Sequence, residues 1–179
     1  MGERTGVHLV LVGLPGAGKT TVGRLLAVEI GVPLVDIDLS IEARAGMPIG
    51  EIFASHGEPH FRRLEREVTE EVASRSSVVL SPGGGWIMHP DVVALVRPPS
   101  KLVHLAVSPA TALDRMGNEV ALRPLLSGSD PLRALGDLYR QREAAYASAD
   151  AVVNTEMLTI QELVAYLAAL ATAWGVGIG

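Results

Sequence analysis

The chain of 179 residues contains no cysteine. Disulfide bonds, thiolate catalysis and cysteine-ligated zinc are therefore excluded, and packing must stabilise the fold, as expected in a reducing compartment. Basic residues are in the minority, since 15 lysines and arginines stand against 20 aspartates and glutamates and the formal net charge is -5. This balance argues against general nucleic-acid binding, which requires a basic surface. A small anionic substrate is not excluded, because local arginines can outweigh the overall charge.

Long apolar segments are also missing. Residues 1–6 are polar and lead directly into a strand-like run, which is unlike a secretory signal peptide. The most apolar stretch near the C-terminus, residues 163–173, is shorter than the ~20 residues that a membrane-spanning helix needs. We therefore expect a cytoplasmic protein without a membrane segment. The length and the hydrophobic content of 48% are typical of one compact domain, residues 1–179, with a sizeable core.

Short apolar runs alternate with segments of helical periodicity along the chain. The runs predict five strands, at residues 7–12, 34–37, 78–81, 102–107 and 151–153. The other segments predict helices at residues 19–30, 40–45, 48–55, 59–74, 91–96, 110–116, 131–147 and 159–174, and residues 117–130 show no regular pattern. This alternation predicts an α/β fold with three layers, in which helices cover both faces of a parallel sheet.

Residues 13–20 match the phosphate-binding pattern G-x-x-x-x-G-K-[ST] without exception. The motif lies between the first predicted strand and the first predicted helix, where backbone N–H groups and the helix dipole favour phosphate. Lys19 is placed to reach the β- and γ-phosphates, and the Thr20 hydroxyl is placed to bind Mg²⁺. We therefore predict that this P-loop binds ATP and Mg²⁺ through Gly13, Pro15, Gly16, Ala17, Gly18, Lys19, Thr20 and Thr21.

A Walker-B aspartate is absent from its usual place, because the third predicted strand ends in Ser81. Asp36 ends the second predicted strand, and Asp38 follows two residues later. On an extended chain these two carboxylates would share one face. Asp36 would then hold a Mg²⁺-bound water while Asp38 reaches a substrate hydroxyl. Alternatively, Asp38 only caps the helix that follows.

Six motifs, in order over about residues 7–167, resemble those of the shikimate kinase family. They are the P-loop, D-x-D at Asp36 and Asp38, F-R-x-x-E at residues 61–65, G-G-G at residues 83–85, R-P-L-L at residues 123–126 and R-x-x-x-Y at residues 142–146. The resemblance implies a P-loop kinase fold with a five-stranded parallel sheet, a lid near residues 116–130 and a substrate-binding helical region near residues 38–75. It also implies transfer of the ATP γ-phosphoryl group to the 3-hydroxyl of shikimate, giving shikimate 3-phosphate and ADP.

Site roles follow from the same resemblance, position by position. It implies that Lys19, Asp38 and Arg123 are catalytic, that Arg123 contacts both phosphate and substrate from the lid, and that Arg115 lies beside adenine. The implied shikimate-binding residues are Asp38, Arg62, Gly83, Gly84, Gly85 and Arg142.

The chemistry of these residue types agrees with the implied roles. An arginine fork binds a carboxylate in a bidentate way that lysine does not reproduce. Glu65 lies one helical turn after Arg62 and would orient its guanidinium. Consecutive glycines allow backbone N–H groups to approach a sugar-like ring. Asp38 would orient the accepting hydroxyl and take its proton.

Plainer readings remain for the same residues. A helix-surface arginine is more often a solvated charge, a glycine triplet is often only a turn, and Arg123 could belong to an ordinary loop. Trp86 stands where the family usually has a small residue, so it either alters acceptor specificity or packs beneath the sheet. Ala144 and Ala145 replace the family's usual Pro-Leu. Alternative functions are a kinase for gluconate or quinate, or an inactive nucleotide-dependent regulatory protein. We expect a monomer.

Overall fold

The computed structural model describes residues 6–126 and 128–177. Its strands are Leu9–Val12 (β1), Leu34–Asp36 (β2), Val79–Ser81 (β3), Lys101–Ala106 (β4) and Ala151–Asn154 (β5). Its α-helices are Lys19–Ile30 (α1), Ile37–Ala45 (α2), Ile49–Ala73 (α3), Pro90–Val93 (α4), Pro109–Met116 (α5), Pro131–Tyr146 (α6) and Ile160–Ala173 (α7). Short 3-10 helices cover Trp86–Met88, Gly117–Leu122 and Pro124–Leu126.

The five strands form one parallel sheet in the order β2-β3-β1-β4-β5. Leu9 of β1 pairs with Val79 on one side and with Lys101 on the other. Because all neighbours are parallel, the carboxyl ends of the five strands lie at one edge of the sheet. The predicted five-stranded parallel sheet is therefore confirmed. Loops that follow the strands meet at this edge, which is the usual ligand position in such folds.

Alternating side chains of β1 enter two separate apolar cores. Leu9 and Leu11 pack into a core formed with α1, α5 and α7. Val10 and Val12 pack into a second core formed with α2, α3 and α4. Since both faces of the sheet are covered by helices, the three-layer architecture predicted from the alternation is confirmed.

The start of α2 differs from the sequence prediction. The helix begins at Ile37, directly after β2, because Asp36 caps it: its side chain accepts a hydrogen bond of 3.1 Å from the N–H of Leu39. Asp38 therefore lies in the first helical turn. The prediction that Asp36 and Asp38 share a face of an extended chain was wrong, and so was the alternative that Asp38 is the cap.

The predicted helices at residues 48–55 and 59–74 meet within α3 at a kink. Gly57 has φ 77° and ψ 171°, which is outside helical geometry, and Pro59 follows it. Proline lacks the N–H that would continue the helical ladder. The predicted break at glycine is therefore present, although the flanking turns belong to one long element. Beyond the kink, Phe61 and Leu64 are buried against the second core, which fixes this half of α3 beside the sheet edge.

Two other segments differ from the prediction: one helix is shorter than predicted, and one segment without a predicted pattern contains short helices. The helix predicted at residues 91–96 is the single turn Pro90–Val93 followed by turns. Residues 117–130 contain two 3-10 helices, and residue 127 of this predicted lid lies outside the described residues. Among the described residues, no helix is both long enough and apolar enough to cross a membrane.

Candidate active site

The P-loop curls between β1 and α1 on glycines that adopt positive φ. Gly16 has φ 81° and Gly18, the N-cap of α1, has φ 87°, a region that L side chains rarely occupy. A Cβ on Gly16 would also lie only 2.4 Å from the carbonyl oxygen of Ala112. The tight approach of the loop to α5 therefore requires glycine at this position. Both glycines lie on the wall of a cavity of about 620 Å³.

Most of the site residues that were predicted from the sequence line this cavity. Its wall includes the nucleotide-side residues Pro15, Gly16, Ala17, Gly18, Lys19, Thr20, Thr21, Arg115 and Arg123, together with Asp36, Asp38, Gly83 and Gly84. Four predicted residues are not part of the wall: Gly13, Arg62, Gly85 and Arg142. The last three lie directly behind it, as the contacts of the glycine triplet show below.

Lys19 is held inside the P-loop. Its Nζ donates hydrogen bonds to the carbonyl oxygens of Gly13 at 3.0 Å and Leu14 at 2.9 Å. Burial and, to a smaller extent, the positive charge of Arg123 lower the pKa of Lys19 to about 8, although the negative charge of Asp38 opposes the shift. Lys19 is therefore still a cation near neutral pH. Its position is set by hydrogen bonds to the P-loop, as expected for the lysine of this motif.

Thr20 and Asp36 form the part of the wall that suits a metal ion. The Thr20 hydroxyl donates a hydrogen bond of 2.7 Å to Oδ2 of Asp36. Asp36 ends β2 and pairs in register with Ser81, the residue that replaces a Walker-B acid. Hydroxyl and carboxylate oxygens are ligands that Mg²⁺ prefers. No cluster of three histidines or acidic residues occurs in the described residues, so bound Mg²⁺ would depend on phosphate oxygens and water as well.

Asp38 is a buried carboxylate of unusual basicity. Burial and, to a smaller extent, the charges of Asp36 and Glu65 raise its pKa to about 6, although the charges of Lys19 and Arg123 oppose the shift. Its Oδ1 is buried and has no hydrogen-bond partner among the described residues. A carboxylate with a pKa near the working pH is suited to accept a proton from a bound hydroxyl.

Each glycine of the triplet after β3 lies against one charged side chain. A Cβ on Gly83 would be 2.6 Å from Oδ1 of Asp38, and one on Gly84 would be 2.7 Å from Nη1 of Arg142. A Cβ on Gly85 would be 3.1 Å from Nη2 of Arg62. None of the three glycines has positive φ, so the close approach and not the backbone conformation calls for glycine.

The triplet thereby gathers side chains from three helices around one loop. Asp38 belongs to α2, Arg62 to α3 and Arg142 to α6. The sequence predicted these residues from separate motifs, and the tertiary structure brings them together.

Arg62 is oriented by two glutamates on its own helix. Its Nη1 donates to Oε2 of Glu65 at 2.9 Å, and its Nε and Nη2 donate to Oε1 of Glu58 at 3.2 and 3.1 Å. The predicted pairing of Arg62 with Glu65 is confirmed. Glu65 is 1% exposed, and burial raises its pKa while the adjacent guanidinium lowers it. The role of Glu58 was not predicted, although its spacing of four residues from Arg62 is typical of helix ion pairs.

Arg142 is a buried cation on α6, with 6% of its surface exposed. Six buried side-chain atoms lack a hydrogen-bond partner in the described part of the chain, and four of them belong to this region. These four are Oδ1 of Asp38, Oε1 of Glu65, Nε of Arg123 and Nη1 of Arg142. Buried polar atoms are normally hydrogen-bonded. Their concentration here indicates a site that is complementary to a polar ligand.

Arg115 lies on a different stretch of the wall. Its Nη1 donates to Oγ1 of Thr155 at 2.8 Å and its Nη2 to the carbonyl oxygen of Thr155 at 3.0 Å. Thr155 follows β5 and lines the cavity, as do the apolar residues Leu158, Ile160 and Leu163. Sequence reasoning missed these four wall residues, because the position of β5 in the sheet order could not be read from the chain.

Trp86 does not line the cavity. It is 0% exposed, and its indole Nε1 donates a hydrogen bond of 3.1 Å to Oγ1 of Thr69. The ring is therefore packed into the core, as one of the two interpretations expected. That Trp86 alters acceptor specificity stays a prediction. Two of the five histidines are also buried, since His8 and His104 are 1% and 5% exposed.

Comparison with known proteins agrees with this geometry. A model of the shikimate kinase family matches residues 15–171. The shikimate kinase of Moorella thermoacetica is 44% identical over 149 residues, which cover 83% of this chain and 85% of that protein. The shikimate kinase of Symbiobacterium thermophilum is 42% identical over 161 residues, or 89% of this chain and 92% of that protein.

A solved structure, that of shikimate kinase from Acinetobacter baumannii in complex with shikimate, has a TM-score of 0.87 to this fold. It is 33% identical and covers 95% of both chains. The family match extends over most of the chain and includes nearly all of the P-loop, the glycine triplet, Arg62 and Arg142. The chain therefore belongs to the shikimate kinase family of ATP-dependent kinases.

Proposed function

We propose that this chain transfers the γ-phosphoryl group of ATP to the 3-hydroxyl of shikimate, giving shikimate 3-phosphate and ADP. The observation that carries this proposal is the glycine triplet, whose members lie against Asp38, Arg142 and Arg62 at the edge of the P-loop cavity. The acceptor named for the related proteins is a carboxylate that bears hydroxyl groups. Around this loop, Arg62 and Arg142 are suited to bind the carboxylate of such an acceptor, and Asp38 is suited to accept a proton from one of its hydroxyl groups.

The donor half of the site is the P-loop wall. Lys19 supplies a buried positive charge for the β- and γ-phosphates, and Arg123 supplies a second one. Thr20 and Asp36 would hold Mg²⁺, Asp36 through a water molecule, and the bound ion would neutralise phosphate charge during transfer. Arg115 and the apolar residues after β5 would form the adenine side, because these apolar side chains line the same cavity as that guanidinium.

The acceptor half is the region around the triplet. Arg62 and Arg142 would bind the shikimate carboxylate, since two guanidinium groups present planar donor pairs to it. Glycine at positions 84 and 85 lets these two guanidinium groups lie close to the backbone of the loop. Asp38 would orient the 3-hydroxyl toward the γ-phosphate and accept its proton, which a pKa of about 6 permits at neutral pH.

Phosphoryl transfer depends mainly on positioning and on stabilisation of charge. Arg123 belongs to the segment between α5 and α6, and its Nε is buried without a partner among the described residues. We propose that this segment, near residues 116–130, acts as a lid over the γ-phosphate, and that residues 38–75 form the substrate-binding helical region. Closure of such a lid would exclude water and limit unproductive ATP hydrolysis.

The test measures ADP release in the presence of Mg²⁺-ATP and shikimate. We expect shikimate to stimulate ADP release strongly, and the Lys19→Ala protein, purified in the same way, to show no stimulation. The same assay with gluconate and quinate tests the alternative acceptors, which the sequence suggested because of Trp86. Intact ATP binding without stimulation by any of the three acids would refute the proposal and favour a non-catalytic nucleotide-binding protein.

A further inference from the structure

We infer that Trp86 and Thr69 are positioning residues for the acceptor half of the site, and that they act through Glu65 and Arg62. This inference rests on the proposed function for its kinetic readout. It concerns residues that touch neither the cavity nor the reacting groups: both side chains are 0% exposed. What they determine is the distance between the glycine triplet and the guanidinium of Arg62.

The first step is a chain of hydrogen bonds that begins at the indole. Trp86 Nε1 donates to Thr69 Oγ1 at 3.1 Å, and Thr69 Oγ1 donates to the carbonyl oxygen of Glu65 at 2.7 Å. Glu65 Oε2 accepts a bond of 2.9 Å from Nη1 of Arg62. Nη2 of Arg62 in turn lies close to the α-carbon of Gly85, since a Cβ added to Gly85 would be 3.1 Å from this nitrogen. Gly85 is covalently bonded to Trp86, so these hydrogen bonds and this contact form a closed ring of interactions that begins and ends at Trp86.

The second step concerns the backbone at the closing point. A 3-10 helix begins directly after the triplet: the N–H of Trp86 bonds to the carbonyl oxygen of Gly83 at 3.1 Å, and that of Met88 to Gly85 at 3.0 Å. Glycines have no side chains with which to anchor themselves. Trp86 is the first residue after the triplet that can be fixed by packing, and its ring lies in the core beside α3. The position of the ring therefore sets the position of the triplet relative to α3.

The third step is the requirement for a hydroxyl at position 69. A buried indole N–H without an acceptor is unfavourable, so Trp86 keeps its position only if Thr69 accepts from it. The same hydroxyl also donates to the backbone of the turn that carries Glu65. One atom thus fixes both the tryptophan and the residue that orients Arg62. Loss of this atom should shift the guanidinium relative to Gly85 without touching the P-loop.

The experiment compares Thr69→Val, which keeps the shape and removes the hydroxyl, with Thr69→Ser, which keeps the hydroxyl. Val72→Ala is the matched control, because Val72 is also 0% exposed on α3 and packs in the same core, but belongs to no part of the hydrogen-bonded path. We expect Thr69→Val to raise the KM for shikimate roughly tenfold, the effect of one lost buried hydrogen bond. The KM for ATP should change less than about twofold, because donor binding does not use this path. Thr69→Ser should restore the KM for shikimate.

Two outcomes of these kinetics would overturn the inference. One is a parallel rise of the KM values for shikimate and ATP in Thr69→Val. The other is an equal rise of the KM for shikimate in Val72→Ala, which would mean that any destabilisation of this core has the same effect. A wild-type protein that does not phosphorylate shikimate would instead refute the proposed function.

A second measurement tests the path without any acceptor. The free energies of unfolding of Thr69→Val, Arg62→Lys and the double variant form a double-mutant cycle. We expect the effects of the two substitutions on the free energy of unfolding to be non-additive. Thr69→Val alters the position of Glu65, and Arg62→Lys alters the side chain that Glu65 binds. Strictly additive effects would overturn the inference, whichever acid the enzyme phosphorylates.

Discussion

Replacement of Gly84 by alanine should impair acceptor binding while leaving the fold almost unchanged. A Cβ at this position would lie 2.7 Å from Nη1 of Arg142, whereas ordinary contacts begin at 3.4 Å. The guanidinium would therefore have to retreat by the difference, about 0.7 Å. The φ of Gly84 is not positive, so alanine adds no backbone strain.

The expected magnitude follows from what has to move. The colliding atom is the far end of a flexible side chain, so the cost in stability should be small, about 1 kcal/mol or less. The displaced group, however, is the guanidinium of Arg142, which we propose binds the carboxylate of shikimate. Misplacement of a catalytic-site group by about 1 Å commonly reduces the rate on the order of a hundredfold. We therefore expect kcat/KM for shikimate to fall by roughly 30- to 100-fold and the KM for ATP to stay within about twofold.

The assay is steady-state ADP release at varied shikimate with saturating Mg²⁺-ATP, accompanied by thermal unfolding. Gly136→Ala is the matched control, since Gly136 lies on α6, the helix that carries Arg142, and a Cβ there would meet nothing within 4 Å. This control should keep full activity and gain about 0.5–1 kcal/mol in stability, because glycine is unfavourable within a helix. Gly85→Ala should have a weaker effect than Gly84→Ala, because its nearest contact, Arg62 Nη2, would be 3.1 Å away.

A wild-type kcat/KM for shikimate in the Gly84→Ala protein would refute the assignment of Arg142 to the acceptor. A large loss of stability instead, with kinetics unchanged in the remaining folded protein, would show that the triplet serves packing and not substrate binding.

Four further predictions concern the donor side and Asp38. Asp38→Asn should lower kcat at least about a hundredfold with little change in the equilibrium affinity for ATP; a large loss of ATP affinity would place Asp38 at the metal instead. Because the folded pKa of Asp38 is raised from 3.8 to about 6, its ionisation opposes folding increasingly from about pH 4 and fully above about pH 6. The Asn variant should therefore gain up to about 3 kcal/mol in denaturant unfolding at pH 8, a gain that fades between pH 6 and pH 4; an equal gain at both pH values would contradict the raised pKa. Lys19→Ala should abolish turnover by removing the buried cation at the phosphates, measured as loss of shikimate-stimulated ADP release, and residual turnover above about one per cent would contradict this. Arg115→Ala should raise the KM for ATP and leave the KM for shikimate unchanged, and the reverse pattern would remove Arg115 from the nucleotide side.

The local structure of the donor site was predictable because all of it is contiguous in sequence. Residues 13–20 contain three positive-φ glycines together with the lysine and the threonine that the motif requires, and they fold between β1 and α1 as predicted. The alternation of apolar runs likewise predicted a parallel sheet, since only crossover helices connect parallel strands in this way.

The start of α2 shows where local reasoning failed. Extended geometry was assumed through Asp38, but the side chain of Asp36 accepts the N–H of Leu39 and the helix begins at once. Aspartate is a common N-cap, so the competing signal was present in the sequence. What decided between the two readings was the length of β2, which pairs with β3 only as far as Ser81.

Motifs and periodicity along the chain were enough to predict the P-loop, the parallel sheet and the residue types suited to phosphate and to a carboxylate. Only the folded arrangement shows that each glycine of the triplet lies against a different charged residue, that Thr155 lines the P-loop cavity and that Trp86 is buried against Thr69. The physical reason is the range of the interactions. Motifs and periodicity report contacts between near neighbours, whereas these contacts join strands and helices whose order in the sheet, β2-β3-β1-β4-β5, arises only when both cores pack together.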